Sequence, residues 1–348
     1  MTTQHLSPLT MLLSRHTRRR EFITLLGGAA AAWPLAARAQ QMGMPVVAVF
    51  YAGSPPGRQQ STAAFRKGLQ EVGLVEGQNV ALDFHFADNN RDRLSDIASD
   101  LVRRRVAIIV IPGSAAAVRV VKAATTTIPI VFMNASDPVQ NGLVASLSRP
   151  GGNVTGITDM GLELATKRLG LLHELLPTAK RVAVLTYAGG PSTYAGSPSN
   201  VIAELRTAAT AIALELDLVS ASTSHEIDAA FAEVAQKRAD ALWVGPGSLF
   251  FDCREQITRL AAHYAIPAIY PLREFTEAGG LMSYGSDITE RSRQAGIYAG
   301  RILKGEKPAN LPVLRNTRFD LVINLRTARM LGISIPLSLH TQAEEVIE

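Results

Sequence analysis

The sequence predicts an α/β protein built as two doubly wound parallel-sheet lobes, and three observations predict it. Short β-branched runs alternate with helical stretches along the chain past residue 40. The alternation breaks once, at RPGGNVTGITD (149–159), and then begins again. The 348 residues exceed one ordinary core and suit about two domains of roughly 100 to 200 residues each.

The first 39 residues stand apart from this pattern. RHTRRRE (15–21) is cationic, FITLLGGAAAAWPLAA (22–37) is apolar, and the small-residue site ARA precedes Gln40. That order predicts an export signal cleaved near Ala39/Gln40, and so a soluble periplasmic protein. The apolar stretch, broken by Gly27, Gly28 and Pro34, is shorter than the ~20 residues needed to span a bilayer. Arg19 and Arg20 followed by Glu21, Phe22 and Ile23 resemble the twin-arginine export signature; a general export signal for an unfolded chain is the alternative. The single cysteine, Cys253, lies far from the cleavage site, which rules out a lipid anchor there and any internal disulfide.

Most of the net charge of +5 also belongs to the leader, where five arginines face one glutamate, a surplus of +4. The remaining chain is close to neutral, which gives no reason to expect nucleic acid as a partner.

Past the leader the elements follow in order. The first series reads PVVAVFYAG (45–53), a helix near 60–72, VALDFHFAD (80–88), a helix near 91–104 and VAIIVIPG (106–113). It continues with a helix near 115–125, IPIVFMN (128–134) and a short helix from 138. The second opens with a helix over 162–176 and places strands at 181–187, 215–222, 240–246 and 266–271, with helices between. LMSYGSD (281–287), a helix near 289–303, the extended KPANLPVLR, a strand FDLVIN and a helix LRTARMLG exceed what a second unit needs. They can carry the chain back to the first lobe and out again, as suits a protein that closes on a ligand.

Open parallel sheets bind ligands beyond the carboxyl ends of their strands, so the candidate residues are those just after each apolar run. They are Tyr51, Gly53 and Ser54; Gly113 and Ser114; Asn134, Ser136 and Asp137; Tyr187; Gly245, Gly247 and Ser248; Tyr270; and Tyr284, Ser286 and Asp287. Tyrosine suits a partly wetted cleft because it has an apolar body and a polar tip. Ser114 and Ser136 can cap helices, and a helix start with free amides also attracts a carboxylate. Asp137 before Pro138, with Gln140 three residues on, is a local helix start. Its second oxygen could take a ligand ammonium through a charge-assisted hydrogen bond.

Catalytic equipment is lacking. The chain contains no G-x-S-x-G turn, no G-x-x-x-x-G-K-[ST] loop and no G-x-G-x-x-G fingerprint. His85, His173, His225, His263 and His340 are far apart and lack metal-ligand spacing. The expectation is no enzyme, no cofactor and no metal.

Three long segments carry a family likeness: DPVQNGLVASLSRPGGNVTGIT (137–158), YAGRILKGEKPANLPV (298–313) and FDLVINLRTARMLGISIP (319–336). With them the chain past the leader resembles the ABC-transporter substrate-binding proteins of the tryptophan/tyrosine-binding type. The resemblance implies a type I periplasmic-binding fold, with two lobes and three hinge crossings closing over a small molecule that is presented to a permease in the inner membrane. It divides the chain into lobe 1 at 40–158 plus about 286–312, and lobe 2 at 159–285 plus about 313–348. By position it places Asp137 in the Asp-Pro of the family's hallmark loop and Ser54, Ser114 and Tyr284 in cleft-facing loops, with GPGS (245–248) as the corresponding second-lobe loop.

The expected protein is therefore a monomeric receptor for one small solute, an amino acid or related carboxylate, aromatic ones included. Ser54, Ser114 and Ser136 would take the acidic end and Asp137 an amine. A sensory receptor for a small solute, or an enzyme on the same fold, are the alternative readings.

Overall fold

The computed structural model describes residues 43–134, 137–159, 161–187 and 201–348, so the expected leader lies outside the described residues. From Pro45 onward the chain forms two sheets. The first contains β1 (Val46–Tyr51), β2 (Ala81–Phe86), β3 (Ile108–Pro112), β4 (Ile130–Asn134), β5 (Val154–Thr158) and β11 (Leu314–Arg315). Their order is β2-β1-β3-β4-β5-β11 and every pairing is parallel. The second contains β6 (Arg181–Tyr187), β7 (Glu215–Ala221), β8 (Ala241–Val244), β9 (Ala268–Tyr270), β10 (Met282–Gly285), β12 (Asp320–Asn324) and β13 (Glu345–Ile347). Its order is β7-β6-β8-β9-β10-β12-β13.

The helices are α1 (Gln59–Glu71), α2 (Arg91–Arg103), α3 (Ala115–Ala124), α4 (Gly161–Leu175), α5 (Val201–Ala211) and α6 (Ser224–Gln236). They continue with α7 (Ser248–Asp252), α8 (Arg254–His263), α9 (Arg273–Glu277), α10 (Ile288–Leu303), α11 (Leu325–Met330) and α12 (Leu337–Gln342). Each sheet is covered on both faces, which is why its strands read as apolar runs. In the first body Phe50, Ile109 and Phe132 pack with Leu101 and Val118 on one side, while Val47, Val49 and Val110 pack with Phe65, Ala295 and Tyr298 on the other.

The chain crosses between bodies three times, after β5, after β10 and after β11. The first two crossings leave the carboxyl end of a parallel strand and enter α4 and α10 at their N-termini. The third enters the second sheet from that same end, so β12 must run away from it, and it pairs antiparallel to β10. Among the described residues β12, with β13 parallel to it, runs against the other strands of the second sheet. The third crossing lies between Arg315 and Asp320, a few residues beyond the expected boundary near 313, because β11 extends the first sheet at the β5 edge.

Two local expectations are corrected. No helix starts at 138: Asn141 N–H donates to Asp137 O, Gly142 N–H donates to Val139 O, and Gly142 at φ +66° ends the turn before a second one can form. RPGGNVTGITD is not only a break, since Val154–Thr158 is the buried strand β5. Gly156 within it lies so close to β4 that an added Cβ would sit 2.1 Å from Phe132 O. Beyond α11, α12 packs against the second core through Leu339 and β13 lies on the sheet edge.

Candidate functional site

The carboxyl ends of both sheets border one cavity with about 910 Å³ of atom-free space, part of it open to solvent. Tyr51, Gly113 and Met133 reach it from the first sheet; Gly247, Pro271 and Tyr284 reach it from the second. α4 and α10, the helices that follow two of the crossings, supply Leu164 and Arg168, and Ile288, Arg291 and Ser292.

The two bodies meet at one rim through Asp252, at the end of α7. Its Oδ2 accepts from Ser54 N–H at 2.8 Å and Asn89 Nδ2 at 2.9 Å, and its Oδ1 accepts from Arg58 Nη2 at 2.6 Å. All three donors come from the first body. The Arg58 guanidinium also lies 5.0 Å from the Tyr51 ring centroid and 4.5 Å from that of Phe251, so one cation is held by rings of both bodies. Burial pushes Arg58 down from its ordinary value, and the Asp252 charge opposes that shift. Gly53 permits the approach, because a Cβ there would stand 2.5 Å from Asp252 Oδ2.

At the hinge side Asp159, the residue after β5, pairs with Arg291 in the first turn of α10. Asp159 is 3% exposed and Arg291 8%. The pair uses Asp159 Oδ2 and Arg291 Nη1, while Asp159 Oδ1, Arg291 Nε and the buried Ser286 Oγ have no hydrogen-bond partner. Glu274 on α9 lies near Arg291; burial pushes its carboxyl up toward the neutral form, with Arg291 opposing.

On the α4 wall, buried Arg168 donates Nη1–H to Val244 O at 3.2 Å and Nε–H to Leu164 O at 3.3 Å. Its guanidinium carbon lies 4.4 Å from the ring centroid of fully buried Trp243. The tryptophan thus sits one layer below the cavity, beneath a residue that lines it.

Of the candidates after apolar runs, Tyr51, Gly113, Gly247, Ser248, Tyr284 and Ser286 line the cavity. The other candidates are engaged beside it. Ser54 contributes its backbone N–H to the Asp252 rim. Ser114 Oγ caps α3 by accepting from Ala117 N–H, and Asp287 caps α10 by accepting from Thr289 N–H. Asp137 Oδ1 accepts from Val139 N–H at 2.8 Å and Gln140 N–H at 3.0 Å, which satisfies its own turn. Gly245 N–H donates to Leu185 O next to the lining Pro246. Tyr187 is half-buried at the end of β6, and burial pushes its hydroxyl up. Asn134 ends β4; its side chain and Ser136 lie outside the described residues. Tyr270 is not a rim residue: it is fully buried and stacked on Phe275 at 5.1 Å.

Sequence reasoning passed over Arg58, Asp159, Arg168, Asp252 and Arg291. A signal existed for two of them. Arg291 lies on the same stripe of α10 as buried Ala295, Tyr298 and Ile302, and Arg168 sits among buried Leu164, Leu171, Leu172 and Leu175 of α4. A charge inside an apolar helical stripe needs a partner or a ligand.

Among the described residues no helix is long and apolar enough to cross a membrane, and no group of three or more His, Cys, Asp or Glu could hold a metal ion. Cys253 is half-buried at the junction of α7 and α8, and burial pushes its thiol up.

Residues 46–347 match the family model described as ABC transporter substrate binding protein. The chain is 28% identical over 282 residues to a tyrosine-binding protein of Clostridioides difficile, covering 80% of this chain and 78% of that one. A conserved domain protein from Vibrio cholerae superposes with a TM-score of 0.80 at 28% identity, over 87% of this chain and 99% of that one. An ABC domain from Streptococcus pneumoniae, crystallised in complex with L-tryptophan, superposes with a TM-score of 0.77 at 24% identity, over the same shares. These likenesses carry the two-lobed type I periplasmic-binding fold.

Proposed function

The chain belongs to the family of ABC transporter substrate binding proteins, and from that premise we propose that it is a periplasmic, monomeric solute receptor without catalytic activity. It captures an amino acid or related carboxylate with an aromatic or other apolar body and hands it to an inner-membrane permease. The leader supports export. The observation that carries the reading is the cavity, whose lining comes from both bodies and whose rim is joined by Asp252. Its Tyr51, Phe251 and Tyr284 rings and the Leu164 and Met133 side chains suit an uncharged, ring-sized body. The tyrosine-binding relative favours the same class.

Capture follows from differential contact. When the bodies separate, the Arg58 and Asp252 charges are both hydrated and the cavity opens to water. When they close on a solute, its contacts with both bodies are gained together, and this difference drives the equilibrium. The three crossings all leave from the cavity side, so a change of angle there opens the rim while both cores stay intact.

A screen tests the reading directly. Trp243 is the one tryptophan that remains once the leader with Trp33 is removed. Its emission, followed while the twenty L-amino acids and aromatic carboxylates are titrated, should change saturably for a small subset, with matching calorimetric heat. The amino-acid or carboxylate reading is lost if none of them binds, and the receptor reading is lost if the protein turns one over.

A further inference from the structure

We infer that the buried Asp159–Arg291 pair is the receptor for the head of a zwitterionic α-amino acid, taking the ammonium on Asp159 Oδ1 and the carboxylate on Arg291 Nε and Ser286 Oγ. The inference rests on the solute-capture reading and narrows it to a chemical class and to three residues.

The first ground is hydrogen-bond satisfaction. Asp159, Arg291 and Ser286 are each more than nine-tenths buried, and all three line the cavity. The pair consumes one oxygen and one nitrogen and leaves Asp159 Oδ1, Arg291 Nε and Ser286 Oγ without partners. A buried polar atom left unpaired is costly, the more so when charged, so three in one place mark a guest's position. Two of them donate and one accepts, which matches a carboxylate beside an ammonium.

Charge supplies the second ground. The pair is neutral as a unit, and so is a zwitterion. A guest with only a carboxylate would face the Asp159 charge, and one with only an amine would face Arg291; each would leave one buried ion opposed. Burial pushes the neighbouring Glu274 carboxyl up, with Arg291 opposing.

Position supplies the third. Asp159 directly follows the first crossing's strand, while Ser286 and Arg291 flank the second crossing. A head group held there touches both crossings at once, and its side chain projects toward the rings of Tyr51 and Phe251 near the rim. Arg58 stands between those rings with its charge paired to Asp252, so that side carries no unpaired charge and favours uncharged side chains.

The test is calorimetry on the mature chain with L-tyrosine, tyramine, which lacks the carboxylate, and 3-(4-hydroxyphenyl)propionate, which lacks the ammonium. L-Tyrosine is expected to bind, with both analogues weaker by about 100-fold or more. Asp159→Asn is expected to weaken L-tyrosine to a similar degree. If another L-amino acid is the better ligand, its own amine and acid take the analogues' place. Either analogue binding within about threefold of its parent overturns the head-group assignment while leaving solute capture intact. So does a folded Asp159→Asn protein of unchanged affinity, which would make the pair a structural hinge contact. If the variant fails to fold, the analogues on the unaltered protein still decide. Failure of every L-amino acid, with another solute bound, removes the zwitterion class and the amino-acid reading together.

Discussion

Asp252→Ala is expected to lower solute affinity about 100-fold while leaving the unfolding transition nearly in place. The Asp252 side chain is 11% exposed and receives three donors from the opposite body, one of them the Arg58 guanidinium at 14% exposure. Removing the carboxylate leaves that cation enclosed between two rings without its counter-ion, a loss on the order of 3 kcal/mol or more for a buried pair. The folded protein has an escape that a core residue lacks: the bodies open and Arg58 regains water. The cost therefore falls on closure, and binding weakens because the closed form is less populated. Asp252→Asn retains an acceptor for Ser54 or Asn89 and should fall between. Calorimetric affinity and urea midpoints, measured on the same preparations, separate the two effects; equal loss in both would make Asp252 a folding residue.

Gly296→Ala should destabilise the fold by about 2–4 kcal/mol, although alanine is the better helix former by about 1 kcal/mol. α10 crosses α1 with backbones in contact. A Cβ on Gly296 would stand 2.2 Å from Phe65 O and 2.9 Å from Leu69 N, and one on Gly68 would stand 1.9 Å from Arg293 O. Backbone atoms cannot rotate away, so the helices must separate. That loosens Ala295, Tyr298 and Ala299 from the face of the first sheet. Gly68→Ala should behave alike, and the double variant should cost less than the sum because one displacement relieves both clashes. The shift also moves Arg291, one turn before the crossing point, so affinity should fall with stability. A rise in the urea midpoint of Gly296→Ala would contradict the close packing.

How much was legible follows from where each residue lies. The apolar runs at 45–53, 106–113 and 128–134 announced β1, β3 and β4 because strands covered on both faces must be apolar throughout. β5 was obscured by Pro150, Gly151 and Gly152, and by a glycine inside the strand that is there for proximity to Phe132. The turn at 138 imitates a helix start in its first four residues, and only Gly142 distinguishes it. At the site, the rule that ligands meet strand ends located Tyr51, Gly113, Ser248 and Tyr284. It could not find Arg58 or Asp252, whose meeting depends on how two separately wound bodies face one another. It passed over Arg168 and Arg291 because they come from helices whose N-termini reach the cavity only through the crossings.

Small-angle scattering from the mature protein, without and with a saturating amount of the solute found by screening, tests closure most directly. The expected result is a smaller radius of gyration with solute, and for Asp252→Ala a larger value at subsaturating solute than the unaltered protein shows. An unchanged radius on saturation, with binding verified by calorimetry in the same sample, would contradict capture between two closing bodies.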